Sequence, residues 1–171
     1  MYHRLSAAAV VVTTFALSIL AFAEAFEKPE LLALRGLRGV SLLVAETDPA
    51  LHDRGITAEV IESGVALTLR QAGIPILNHG DPGEPSGNPT LFIEVLALLN
   101  EDADTCTYSV QLELTQNVQL DRDDAVRLEF VPTWRTGGLA HADQQWRAAI
   151  LDEVQLYAEQ FVDAYLAANP H

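Results

Sequence analysis

The sequence predicts an α+β fold: a two-layer α/β sandwich in which a β-α-β unit is followed by a three-strand antiparallel meander and a long C-terminal helix. Three patterns carry this reading. Between Cys106 and Leu120 the even positions are apolar except for Gln116 and the odd ones are polar, which is the period of a strand with one face buried and one wet. Between about Ala142 and Ala168, the residues Trp146, Ile150, Val154, Tyr157, Phe161 and Tyr165 recur at spacings of four, four, three, four and four, the stripe of a helix lying on a core. Between Val40 and Leu77, two short apolar runs flank a helical pattern, and a strand, a helix and a second strand in that order favour parallel pairing through a right-handed crossover.

The elements follow in chain order. Residues 1–23 read as a cleavable signal peptide: Arg4 near the start, an apolar stretch from Ala7 to Phe22, and the small-x-small site Ala21-Phe22-Ala23. The stretch falls short of the roughly 20 apolar residues that span a bilayer. No cysteine stands near the site to accept a lipid. The expectation is an exported protein, periplasmic or extracellular, with no stable membrane anchor after cleavage.

Residues 24–36 are expected to form a flexible lead-in segment, and 37–171 a single α/β domain. Val40 to Ala45 is short enough to be a buried strand. Asp48-Pro49 opens a turn, and a helix runs from Thr57 as N-cap to Ala72, stopped by Gly73. Its apolar side is read as Val60, Ile61, Val65, Leu69 and Ala72, with Gly64 placed for close approach to a sheet. Ile74 to Leu77 resumes as a short strand. Residues 78–89, rich in glycine and proline, form a loop.

Thr90 to Leu99 is apolar on both faces apart from Thr90 and Glu94. If Leu91, Ile93, Val95, Ala97 and Leu99 face the core, then Phe92, Leu96 and Leu98 land on the wet side, where the lead-in segment or another subunit must cover them. After the long strand, Asp121 to Asp124 turns the chain. A further strand from Val126 ends around Pro132, and Gly137-Gly138 breaks the chain before the last helix. Asn169-Pro170 ends that helix.

Composition narrows the function. The 171-residue chain has a net charge of −14, which becomes −15 on cleavage because Arg4 leaves with the leader and no acid does. Such a chain repels phosphate backbones and anionic lipid surfaces, which argues against nucleic-acid binding. The 148 residues left after cleavage form one domain able to bury roughly 68–70% of its unfolded surface without a disulfide or metal. Cys106, the single cysteine, falls on the apolar face of its strand and reads as a buried, inert thiol.

No catalytic or cofactor signature is present, so no catalytic, cofactor-binding or metal residue is assigned. His52, His79 and His141, each near an acid (Asp53, Asp81, Asp143), come from different segments without metal-ligand spacing. Asn100 to Asp104 opens like a calcium loop, but it lacks the turn glycine and has Gln111 where the bidentate glutamate belongs. Ser41, Ser63, Ser86 and Ser109 sit in no nucleophile elbow. No glycine-rich phosphate cradle occurs. The candidate contact residues are Phe92, Leu96, Leu98 and Trp134, the last at a strand end where an aromatic either anchors an interface or caps the core. Trp146 heads the helical stripe and is assigned to the core.

Five stretches carry a resemblance: Leu37-x-Gly39-Val40, Leu69-Arg70-x-Ala72-Gly73-Ile74, the strand Tyr108 to Leu120, Thr133-Trp134, and Phe161-x-x-x-Tyr165-Leu166-x-x-Asn169-Pro170. Over about Leu34 to Pro170 they resemble small exported bacterial α/β proteins. The order of elements is similar to the amino-terminal domain of TolB and related periplasmic modules that assist envelope assembly. The resemblance brings no catalytic residue with it. The lack of chemistry together with the outward Phe92, Leu96 and Leu98 favours a non-enzymatic interaction or assembly module, acting through an exposed sheet edge or the apolar face of the 90–99 strand on a protein partner or a second copy of itself. The alternative reading is a small-ligand or divalent-metal-binding protein using the 78–89 loop with His79 and Asp81.

Overall fold

The computed structural model describes residues 29–78, 87–100, 102 and 104–170. The leader, and His79, Asp81 and Ser86 of the loop, lie outside the described residues. The elements are α1 (Pro29–Leu32), β1 (Ser41–Val44), α2 (Pro49–His52), α3 (Ala58–Gln71), β2 (Thr90–Asn100), β3 (Thr105–Leu120), β4 (Asp123–Ala142) and α4 (Trp146–Ala168). The four strands form one sheet in the order β1-β2-β3-β4; β1 runs parallel to β2, and β2, β3 and β4 form an antiparallel meander. Helices α3 and α4 pack on one face. The expected two-layer α+β sandwich is the observed fold.

Local chemistry sets the helix ends. The Thr57 Oγ1 accepts the Val60 N–H at 3.3 Å, capping α3. At the other end Gly73, at φ +76°, donates to the Arg70 carbonyl, and Ile74 donates to the Leu69 carbonyl. This pair of bonds closes a helix with a left-handed residue, a conformation glycine adopts without a Cβ penalty. The buried side of α3 is Ile61, Val65, Ala66 and Leu69. Val60 is exposed, and a Cβ built on Gly64 would meet nothing within 4 Å. Both were expected to face the sheet, but residues one position away from the 61-65-69 row are turned by about 100° toward solvent.

The short strand expected at Ile74 to Leu77 reduces to a single parallel bridge between Val40 and Ile76, held by Val40 N–H to Pro75 C=O and Leu77 N–H to Val40 C=O. Pro75 has no N–H with which to extend a ladder. The full parallel partner of β1 is therefore β2, reached beyond the loop.

The largest correction concerns β4. The expected break at Gly137-Gly138 is absent, and the strand runs unbroken for 20 residues. The glycines serve close approach instead. A Cβ on Gly137 would stand 2.7 Å from the Val110 carbonyl oxygen, and one on Gly138 would stand 2.5 Å from the Tyr157 hydroxyl. Pro132 is tolerated within the strand because β4 lies at the sheet edge, beside a register shift. The final helix accordingly starts at Trp146, after the strand ends at Ala142.

The core lies between the sheet and α3 and α4. It takes Leu91, Ile93 and Val95 from β2, Cys106 to Leu114 at even positions from β3, and the whole stripe Trp146, Ile150, Val154, Tyr157, Phe161 and Tyr165 from α4. Part of the expected lead-in segment joins it. Leu34 is fully buried, and Asn169 accepts the Gly36 N–H through Oδ1 and donates through Nδ2 to the Leu34 carbonyl. Tyr165 adds a hydroxyl bond to the Leu37 carbonyl. The Phe161-x-x-x-Tyr165…Asn169 ending thus acts as a clasp on the chain ahead of β1.

Candidate interaction face

The sheet has helices on one side only, so its other side is the surface that needs explaining. Strand register fixes which residues share it. Even positions of β2 and odd positions of β3 and β4 line up in rows: Phe92 with Glu113 and Arg135; Glu94 with Gln111 and Gly137; Leu96 with Ser109 and Leu139; Leu98 with Thr107 and His141. On β1, Leu43 stands beside Phe92.

Polarity along this face is uneven. Leu96, Leu98 and Leu139 are 56%, 77% and 76% exposed, and they surround a shallow depression of about 400 Å³ floored by Thr107 and Ser109, with Asp48 at its rim. Phe92 is half-buried and set apart from them by the polar row of Glu94 and Gln111. A second depression, about 470 Å³, runs beside Gln111, Glu113 and Arg135 over Gly137, where the missing side chain leaves the backbone open. Large apolar side chains grouped on one solvent-facing surface are a feature of contact sites, because isolated ones are common and clusters are not.

Of the four candidate contact residues, the structure brings Phe92, Leu96 and Leu98 onto this face and places Trp134 on the other. Trp134 is only 7% exposed and meets the Phe161 ring edge-on, with centroids 5.2 Å apart. It is a core residue, because even positions of β4 face α4 at this point in the strand. Leu139 was not anticipated. A chain break at the glycines had put it in a loop, whereas the run of small residues at Gly138, Ala140 and Ala142, all on the helix side, carries the strand period through.

Catalytic constellations do not assemble from the described residues. His141 pairs with Thr107, Nδ1 to Oγ1 at 3.0 Å, and no carboxylate accompanies the ring. His52 meets its neighbour Asp53 at 4.0 Å on the surface, with the Glu59 carboxylate near enough to interact with it. Among the described residues no three His, Cys, Asp or Glu side chains converge on one point. Cys106 is fully buried, and burial pushes its thiol above the usual range, which keeps it protonated and unreactive.

One polar cluster lies behind the face, between β3, β4 and α4. Tyr157 donates its hydroxyl to Glu153 Oε1 at 2.5 Å over Gly138, and Tyr108 lies near the same carboxylate. Burial first, then the hydrogen bond to Glu153 and its charge, pushes both phenols up to about 12. Both remain neutral donors at any ordinary pH, which suits a fixed brace between helix and strand.

No helix among the described residues is long and apolar enough to cross a membrane. No protein-family model and no curated protein matches the chain. Among solved structures, a minor lipoprotein from Acinetobacter baumannii matches with a TM-score of 0.42 at 12% identity, covering 76% of this chain and 93% of that one.

Proposed function

We propose that this chain is a non-enzymatic interaction or assembly module of the bacterial envelope, working by contact through the helix-free face of its sheet. The observation that supports this reading most directly is the cluster of Leu96, Leu98 and Leu139, exposed together and bordered by the polar row of Glu94 and Gln111. Burying three leucines at roughly 25 cal/mol per Å² of apolar surface supplies several kcal/mol before the costs of association are met. The similarity of element order to the TolB amino-terminal domain and the signal-like leader favour the same compartment and the same mode of action.

The experiment is site-specific photocrosslinking in the native envelope, with the probe at Leu96 or Leu98 and a control probe at Glu62 on exposed α3. A discrete adduct is expected from the two leucine positions only, and it should disappear when Leu139 is changed to Asp. Adducts that form equally from Glu62, or from none of the three sites, would remove the proposal.

A further inference from the structure

The outer edge of β4 is the second unexplained surface, and its chemistry can be read from the hydrogen-bond pattern. Ser41 donates to the Pro89 carbonyl and Ala45 to the Ile93 carbonyl, so odd residues of β2 turn their backbone groups toward β1. Backbone groups alternate sides along a strand. Even residues of β2 therefore bond odd residues of β3, even residues of β3 bond even residues of β4, and the odd residues of β4 are left pointing outward. Among the described residues nothing bonds the outward N–H and C=O groups of Arg135, Gly137, Leu139 and His141. Helix α1 lies beside this strand at Pro132 to Arg135.

Natural edges are blunted by proline, by charge or by bulges. The first part of β4 has all three: Pro132, the charges Arg127 and Glu129, and three register shifts against β3. From Thr136 to Ala142 it has none, being Thr-Gly-Gly-Leu-Ala-His-Ala in regular register.

We propose that this edge pairs antiparallel with the same edge of a second copy, about a two-fold axis at Leu139. The proposal goes beyond the contact reading above: it concerns the edge of the sheet and leaves the open face free for another partner. The register is singled out by charge. With Leu139 opposite Leu139, Gly137 falls opposite His141, and Arg135 falls opposite the chain just past the strand end, where exposed Asp143 stands, so each end of the ribbon brings a cation near an anion. Arg135, Gly137, Leu139 and His141 are outward-bonding odd positions, as an antiparallel ladder requires; Asp143 lies just past the strand, where its carbonyl accepts the Trp146 N–H at 2.8 Å, and offers its side chain only. On the helix side, Gly138 meets Ala140 and Thr136 meets Ala142, small residues that leave room for both copies of α4. On the open side the two Leu139 side chains touch, and the Leu96 patches of both copies extend one apolar strip across an eight-stranded sheet.

The test is mass against concentration, by sedimentation and light scattering, on the protein purified after export. A monomer–dimer equilibrium is expected for the native chain. Leu139→Lys puts two like charges on the axis at an exposed position and should leave a folded monomer. Arg135→Asp should raise the dimer dissociation constant about ten-fold, Asp143→Arg likewise, and the double exchange should restore it to within about three-fold. The rescue distinguishes this register from any loss of folding, which circular dichroism of each variant checks independently. Leu96→Asp, two strands from the axis, should leave the dimer intact. A native chain that stays monomeric, or a dimer indifferent to Leu139→Lys and to the charge exchange, overturns the proposal. Neither result touches the crosslinking outcome at Leu96 on which the broader reading depends.

Discussion

The hairpin of β3 and β4 is one continuous ribbon whose two halves behave differently. At its root, Cys106 to Leu114 pairs with Trp134 to Ala142 in unbroken register, and every even residue of β3 is buried. In its distal arm, Thr115 to Leu120 against Asp123 to Val131, the register shifts three times, Leu128 and Phe130 are exposed, and Phe130 sits at φ +54°. The apolar residues keep the same parity in both halves of β3, with Gln116 the one polar residue among them. The difference lies in what covers them: the root has α4 across it, with Trp134 on Phe161 and Tyr157 on Gly138, while the arm projects past the helix layer. Alternation specifies that a strand has two faces, and only a neighbouring layer makes one of them a core.

That contrast is open to direct attack. The largest effect is expected at the root, where Leu112→Ala removes a fully buried side chain and should cost about 2–5 kcal/mol in denaturant unfolding. The same truncation in the arm, Leu128→Ala, should cost no more than about 0.5 kcal/mol. Equal losses at the two sites would show that the arm is packed after all.

A second contrast is alkaline. Tyr108 and Tyr157 have folded pKa values raised to about 12 from an ordinary 10, so folding favours their protonated forms. The stability this provides is complete below about pH 10 and is lost as pH climbs toward 12. Stability measured across that window should fall for the native chain and fall less for the Tyr108→Phe, Tyr157→Phe double variant. An identical decline in both would detach the brace from the titration.

The smallest change is expected in the arm. A bulky residue in the left-handed region costs about 1–2 kcal/mol, and glycine in a strand gives back roughly 0.5–1. Phe130→Gly should therefore stabilise the protein by about 0.5–1 kcal/mol, and a loss of stability would mean that the ring does more than its exposure indicates.

Much of this architecture was legible in the chain. The α4 stripe, the Thr57 cap, the Gly73 stop, the buried face of β2 and the outward Leu96 and Leu98 all follow from periods of 3.6 and 2 or from local turn chemistry. The misreadings share a cause. Gly137-Gly138 signals a break when only neighbours in sequence are considered, yet the same pair is required where Val110 and Tyr157 press against the strand from elsewhere in the chain. Trp134 and Leu139 changed roles for that reason, since their faces depend on whether the strand continues. Val60 and Gly64 were misplaced by a related effect, because an apolar side broad enough for a sheet contact exceeded the contact actually made.

By itself, then, the sequence determined the kinds of element, their order, and which residues within each element share a side, because these depend on bonds and sterics within a few residues. The tertiary structure decided which of those sides became interior, that β4 runs through its glycines to a bare edge, and that Leu139 joins Leu96 and Leu98 on one open face. Burial is a relation between segments distant in the chain, and no local period encodes where α4 comes to lie.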